Sequence, residues 1–305
     1  VALNTALATD GFVIWVPPHT RVKKTIQVID LMQEQSDTFI TQRNLILLNP
    51  GSALTLLVCD HTLNPRTYLR NSVTEAFVGE NAHLNYYTIH NQHNHSASIN
   101  SLLIDQKRNS TVRTHTITLH GGFIRNNLNV LLNGENSRSD IFGIAFMDRK
   151  QHIDNYTRVI HNTPHCQSNQ LYKYVMDEQS TGAFSGLIHV VRDAQKTQAF
   201  QRNNNLLLTD QAKVQTKPQL IIDADDVKCS HGATIGQMDE DALFYLRSRG
   251  IAEKDARLML MNAFAHEVIQ EIKLDPLRMR IDELIDKRLR GEISQCHDCA
   301  YDCKS

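Results

Sequence analysis

The sequence predicts a mainly β chain: a parallel β-helix, or solenoid, over residues 1–236, then a C-terminal helical domain over 237–305 that ends in a cysteine-rich tail. Three observations predict this. From residue 1 to about 236 the apolar runs are strand-sized, rich in Val, Ile, Leu, Thr and Tyr, and broken by Asn, Gly, Asp and Ser. Turn-like segments recur within this body at a nearly fixed interval. After residue 237 the apolar residues change to helical spacing.

The strand-sized runs include 44–48, 54–58, 84–89, 112–119, 141–146, 187–191 and 206–208, and helix-forming composition appears only briefly, near Val28–Gln35. The segments 50–57, 79–86, 108–115 and 134–141 each pass from a turn through a small residue into a strand. Those small residues, Ala53, Ala82, Thr111 and Ser137, stand 29, 29 and 26 apart, and Ala183 and Ala212 form a weaker pair, again 29 apart. One coil cannot bury its apolar face alone, so such a period means stacked coils that share one core. A β-sandwich with chance similarity of turns is the competing architecture, but its turns come every ~8–12 residues without so long a period.

In the helical part, Asp239 can cap a helix through Phe244, Tyr245 and Leu246, and Gly250 stands just past its end, where left-handed backbone is favoured. Ala256, Leu260, Ala263, Phe264, Val268 and Ile272 mark a second helix. Asp275-Pro276 reads as a cap followed by proline at the first helical position, and Leu277, Ile281, Leu284, Ile285 and Leu289 carry a third. Two arrangements are open to these apolar stripes: they cap the end of the solenoid, which must be covered, or they leave a groove for a partner. The cap is the simpler expectation.

The chain has 305 residues, 41% of them hydrophobic and 21% charged, enough for a sizeable core. Lys and Arg total 32 against 33 Asp and Glu. This balance argues against a protein built to grip nucleic acid or an anionic membrane. No apolar run approaches the ~20 residues that span a bilayer. The six cysteines are too sparse for a disulfide scaffold, so free thiols in a reducing compartment are expected. The chain starts at Val1 with no signal-peptide pattern, so a trimmed or processed sequence is expected. No phosphate-binding Gly-rich loop, GxSxG, HExxH or Rossmann fingerprint occurs, and the chain is not expected to bind or hydrolyse ATP itself.

The most unusual stretch is Asp223-Ala224-Asp225-Asp226-Val227-Lys228-Cys229-Ser230-His231-Gly232-Ala233-Thr234. On a strand, Cys229 and His231 share one side, about 6.6 Å apart at ~3.3 Å per residue. Thiolate and imidazole together suit iron, zinc or copper, and Lys228 and His231 could lower the thiol's pKa. Two ligands do not complete a site, so the rest must come from elsewhere; the plainer reading is a structural Cys and a hydrogen-bonded His. In the tail, Cys296, His297, Cys299 and Cys303 supply four soft ligands in one short cluster, either a metal site or an oxidisable terminus. His90, His93 and His95 read as a polar turn between coils, and so do His161, His165 and Cys166 around Pro164. Asn203, Asn204 and Asn205 read as stacked asparagines of a solenoid turn that satisfy backbone groups along the coil axis.

These residues carry a resemblance. The run 203–208, Lys217-Pro218-Gln219-Leu220, the stretch 224–234 and Phe244-Tyr245-Leu246-Arg247-Ser248-Arg249-Gly250-Ile251 resemble the SufB/SufD family of the SUF iron–sulfur cluster assembly machinery. The Cys-Ser-His-Gly-Ala run is closer to the SufD members than to the SufB members. The likeness is specific over about 50 residues and plausible from ~120 to ~290, while the N-terminal third matches only in texture and lacks the family's N-terminal helical region. It implies a right-handed parallel β-helix with a C-terminal helical domain. It implies a non-enzymatic scaffold that pairs with a SufB-type paralogue and docks a SufC-type ABC ATPase through its helices, around Phe244, Tyr245, Leu246, Arg249, Leu260 and Phe264. No tightly bound cofactor is implied, only transient iron or an iron–sulfur cluster at the SufB interface, with His231 and Cys229 as ligand candidates. Apart from the resemblance, the cytoplasm is the default expectation for location, and a plastid fits equally if a transit peptide has been removed. The Cys-rich end is not part of the resemblance.

Two other functions compete. A β-helix polysaccharide lyase or hydrolase would array carboxylates or basic residues along one face, and Asp223, Asp225, Asp226 and Arg202 are its candidates. A structural homodimer would merely pack Cys229 and His231.

Overall fold

A computed structural model of the chain describes residues 1–33, 36–64 and 66–291. Its body is a stack of coils with two strands in each. One sheet holds β1 (Val13–Val16), β3 (Thr38–Leu48), β5 (Tyr68–Val78), β7 (Ala97–Gln106), β9 (Phe123–Leu132), β11 (His152–His161), β13 (Thr181–Val190) and β15 (Lys213–Ile222), in that order. The other holds β2 (Ile26–Met32), β4 (Ala53–Thr62), β6 (His83–Asn91), β8 (Thr111–His120), β10 (Arg138–Met147), β12 (Gln167–Met176), β14 (Gln198–Leu207) and β16 (Lys228–Gln237). All these pairings are parallel. The expected β-helix is therefore present. Val28, near the stretch of helix-forming composition, lies in β2, because pairing with β4 along seven residues overrides local propensity; Gln35 lies outside the described residues.

The corners set the coil. Leading into each even-numbered strand from β4 to β14, one residue adopts left-handed backbone: Gly51 (φ 70°), Asn81 (56°), Asn109 (55°), Asn136 (59°), His165 (61°) and Lys196 (62°). Asparagine visits this region more readily than most residues, through its short polar side chain. The residue that follows is small and fully buried: Ser52, Ala82, Ser110, Ser137, Cys166 and Thr197. Corners of adjacent coils touch, as Ser137 Oγ and Cys166 Sγ do at 3.2 Å. This column is the true repeat, with intervals of 30, 28, 27, 29 and 31 residues. The column read from sequence mixed two positions, since Ala53 and Thr111 begin strands whereas Ala82 and Ser137 precede them. Ala183 and Ala212 are not equivalent either, because Ala183 pairs with Gln215.

The two sheets differ on their outer faces. In β13, Phe184, Ile188 and Val190 are buried inward, whereas Thr181, Ser185 and His189 face out and are half-buried. In β10 the inward Ile141, Ala145 and Met147 alternate with outward Phe142, Ile144 and Phe146, all of them buried. What buries the outward set is α3 (Glu253–Ile269) and α4 (Asp275–Leu289), through Leu258, Met261, Ala265, Val268, Ile281 and Ile285. The helical unit thus lies along the side of the solenoid, not over its end as the cap expectation had it. A strand that is apolar on both faces needs both faces covered, and that need outweighs the open end. Two charged clamps fix the helices. Lys173 Nζ lies 2.6 Å from Glu267, 2.9 Å from the Phe264 carbonyl and 4.5 Å from the Phe264 ring centroid. Arg288 reaches Asp148 at 2.7 Å and donates to the Leu119 carbonyl at 3.2 Å.

Helix α2 (Glu240–Ser248) begins as expected, with Asp239 accepting from the Ala242 amide at 3.0 Å, and Gly250 follows its end at φ 85°. Leu274 is the N-cap of α4, without a side-chain bond, so Asp275 and Pro276 fall in its first turn rather than forming the cap. A short N-terminal helix, α1 (Ala2–Leu7), is held on the odd-numbered sheet by the Asn4 amide, which donates to the Gln42 and Asn71 carbonyls at 2.9 and 3.0 Å.

The interior is not wholly apolar. Asn100 donates to Asn126, Asn126 to Asn155, and Asn155 to the Tyr174 hydroxyl, at 3.0, 2.9 and 2.6 Å. Toward the N-terminal end, Arg70 meets Asp30 at 2.6 Å, Asp60 at 3.3 Å and Gln42 and Asn100 at 2.9 Å each. His90 Nδ1 lies 2.7 Å from the Asp60 carboxylate. His90 is therefore a buried strand residue rather than part of a polar turn, because its charged partner sits one coil away. His93 and His95 stack at 5.0 Å where the turn was expected. His161 is likewise buried, at the end of β11, with Nε2 2.9 Å from Ser168 Oγ, whereas His165 and Cys166 form the corner as expected.

Burial pushes the Asp60 carboxyl up, but His90 and Arg70 outweigh it and hold it at about 2. That lies below the unfolded value of ~3.9, so its contribution is whole above pH ~4 and is lost as pH falls toward 2. Replacing Asp60 by Ala removes the buried partner of His90, the Asn91 amide and Gln92 and leaves Arg70 with Asp30 as its one carboxylate, and should lower stability at pH 7 by about 3 kcal/mol in urea denaturation. On the outer face, His115 stacks between Tyr87 and Phe142 beneath the helices, with centroids 5.0 and 4.8 Å away. Burial, then Arg113 and Lys273, depress His115 to about 3, and burial alone does the same for His161. Unfolded histidine titrates near ~6.5, so both residues destabilise the fold increasingly as pH drops from there toward 3. His115→Phe keeps the stack and should shrink the loss of stability between pH 7.5 and pH 5; an unchanged loss in denaturation curves at the two pH values would refute this.

Candidate functional site

The last coil is built differently from the rest. Ala224, Val227 and Cys229 pack with Leu220, Ile188, Val190, Ala194 and Ala199, so the turn after β15 folds back and sets Cys229 facing inward. In the register of β14 and β16, Ala199 pairs with Cys229 and Gln201 with His231. Strand alternation then places Cys229, His231, Ala233 and Ile235 in one inward row, and Lys228 and Ser230 on the opposite face. No coil stacks on this one among the described residues, as β16 and β15 end their sheets. Cys229 is therefore half-buried and His231 exposed. Ile222 and Ile235, also inward, are 41% and 46% exposed.

Lys228 and His231 do not lower the Cys229 thiol as the sequence suggested. Burial pushes it up, and a backbone hydrogen bond involving Ala199 offsets only part of that. The reason is geometric, since alternation turns Lys228 to the far face of the strand. Cys229 is in no disulfide, and neither is Cys166.

Behind the end row lies a polar layer. Gln201 Nε2 donates to Gln170 Oε1 at 3.3 Å and to Thr157 Oγ1 at 3.5 Å. Asn205 donates to Asn203 Oδ1 at 2.7 Å and to the Thr234 carbonyl at 3.0 Å, and Asn203 to the Tyr172 carbonyl at 3.4 Å. These asparagines bond along the coil axis as expected, but from within β14 rather than from a turn. Gln170 and Gln201 escaped the sequence reading, because their place behind His231 depends on a register known only once the coils are aligned.

The remaining candidates are dispersed. Phe244 and Tyr245 stand 74% and 57% exposed on α2, with the Arg249 guanidinium 5.2 Å from the Tyr245 ring centroid, and Leu246 is half-buried. Leu260 and Phe264 face the solenoid and pack on its outer sheet. Arg202 pairs with Glu267 at 2.9 Å, Asp223 with His189 at 3.0 Å and Asp226 with Lys196; Asp225 is exposed. Cys296, His297, Cys299 and Cys303 lie outside the described residues. Among the described residues no three His, Cys, Asp or Glu side chains are grouped to hold a metal ion, so Cys229 and His231 make an incomplete ligand set. No described helix is long and apolar enough to cross a membrane.

Comparison with known proteins fits this architecture. Residues 31–264 match the family model described as SUF system FeS cluster assembly, SufBD core domain, and residues 1–28 match the SufBD protein N-terminal region. The likeness thus reaches the N-terminal third, which by sequence alone matched only in texture. A SufBD family iron–sulfur cluster assembly protein of Synechocystis is 34% identical over 94% of this chain and 65% of its own length. The iron–sulfur cluster assembly protein SufD of Escherichia coli is 37% identical over 80% of this chain and 58% of its own length. A chloroplastic protein of Arabidopsis thaliana, ABCI7, is 35% identical over 67% of this chain and 43% of its own length. The chain spans less than two thirds of each of these relatives. On the family model and these identities, the chain belongs to the SufB/SufD family of the SUF iron–sulfur cluster assembly system.

Proposed function

We propose that the chain is a non-catalytic scaffold subunit for iron–sulfur cluster assembly, joined to a SufB-type paralogue through the open end of its solenoid. One observation carries this reading: the last coil, uncovered among the described residues, bears an incomplete thiol–imidazole pair on β16 and leaves the outer edges of β15 and β16 unpaired. An exposed ten-residue edge strand is a template for another chain's backbone. A second β-helix docked there would continue both ladders, bury Ile222 and Ile235, and bring the missing ligands to Cys229 and His231. Iron or a nascent cluster is then the cargo held at the junction: neutral imidazole offers a nitrogen lone pair, and the thiol binds once its proton is displaced. The exposed Phe244 and Tyr245 of α2 are the docking point for a SufC-type ATPase. Through α3 and its Lys173–Glu267 clamp, movement of that partner would be transmitted to β12. Without a partner, the same edges would pair with a second copy of the chain. The cytoplasm is the expected location, or a plastid, in keeping with the chloroplastic relative.

Co-expression with SufB- and SufC-type partners tests the reading. His231→Ala should assemble a complex of unchanged mass by light scattering but carry markedly less iron and sulfide; equal loading would remove His231 as a ligand. Ile222→Lys with Ile235→Lys should weaken association at least tenfold, because burying each isoleucine contributes roughly 1.5–3 kcal/mol. The melting temperature of the lone chain should stay unchanged. An undiminished affinity would place the partner elsewhere.

A further inference from the structure

We propose that Gln201 positions the His231 imidazole and selects its tautomer. This rests on His231 being a ligand. Gln201 and His231 are register partners on β14 and β16 and share the inward row. Adjacent strands lie ~4.8 Å apart, so a glutamine side chain reaches an imidazole one strand further out. Gln201 is buried, and its amide is anchored from one side only. Nε2 is engaged by Thr157 and Gln170, both in coils deeper in the stack. The amide lies flat against β13, where a Cβ on Gly186 would stand 2.0 Å from Nε2. Its Oε1 is buried with no hydrogen-bond partner. An unpartnered buried acceptor is unfavourable, and the open end of the coil is where a donor can meet it.

A neutral imidazole has one N–H. Donated to Gln201 Oε1, that proton fixes the tautomer and holds the ring. The other nitrogen's lone pair is then directed out of the open end, toward cargo and partner. Without the acceptor the ring exchanges tautomers and rotates, and the ligand is no longer organised in advance.

The test uses full-length protein with histidine side chains labelled in ¹⁵N, metal-free at pH 8, the His231 signals being assigned by their loss in His231→Ala. Wild type should show a single His231 tautomer. Gln201→Leu should show the averaged shifts of an exchanging ring, and Gln201→Glu, which retains an acceptor, should restore the single form. Gln201→Met replaces the leucine variant if circular dichroism shows a disturbed fold. A mixed tautomer in wild type, or an unchanged one in Gln201→Leu, overturns the proposal. A second arm measures Co²⁺ binding to the complex with the SufB-type partner, where Gln201→Leu should bind about 10–100-fold more weakly and Gln201→Glu nearly as wild type. A tautomer that responds to Gln201 while His231→Ala binds Co²⁺ as tightly as wild type would leave the positioning intact and remove the ligand role.

Discussion

Coil-to-coil backbone hydrogen bonding is the constraint on which the rest of the molecule depends. Each internal strand is satisfied by a parallel neighbour on both sides, and the ladder stops only where the chain stops coiling. The interior strands are thereby made rigid, while the last coil keeps a full strand's length of unmet donors and acceptors. The candidate ligands sit on that coil. Cys229 and His231 are half-buried and exposed because no described residue is stacked on them as a further coil, although the same inward positions one coil back, Ala199 and Gln201, are buried. The site is thus a cross-section of the core, left open.

The helices explain why it stays open. Outward Phe142, Ile144 and Phe146 require cover, and α3 and α4 are committed to them by packing and by the Lys173 and Arg288 clamps. A helical unit used on the side wall is not free to close the end. The same arrangement leaves α2 projecting Phe244 and Tyr245 into solvent, so the two surfaces most in need of a partner belong to different elements. The interior asparagine row and the Asp60–Arg70–His90 cluster add directional bonds that a wholly apolar core would lack.

Much of this was legible in the sequence. Val- and Ile-rich runs with a period near 29 led to a solenoid, and Asp239 and Gly250 bounded α2. Other features were hidden for physical reasons. Small residues occupy both the corner and the first strand position, as Ser52 and Ala53 do, so the repeat was read one residue out of phase. His90 sits in an Asn- and His-rich stretch whose composition resembles a turn, and only stacking reveals Asp60 beside it. The side on which the helices lie follows from β10 and β12 being apolar on both faces, a property that a continuous apolar run states without saying what covers it. Cys229 and His231 stood out by residue type, whereas Gln201 is ordinary in sequence and becomes distinctive only through register.

The corner column has a consequence for how the chain finds its fold. Stacked coils invite frameshift errors, in which a strand pairs with the neighbour of its proper neighbour and every contact remains locally plausible. Here successive corners are separated by 30, 28, 27, 29 and 31 residues, so the corner column keeps no fixed period. A strand displaced by one coil would meet a corner that arrives early or late, turning inward-facing side chains toward water wherever the mismatch is odd. The unequal corner spacings act like the uneven teeth of a key and oppose a frameshifted stacking of similar parts.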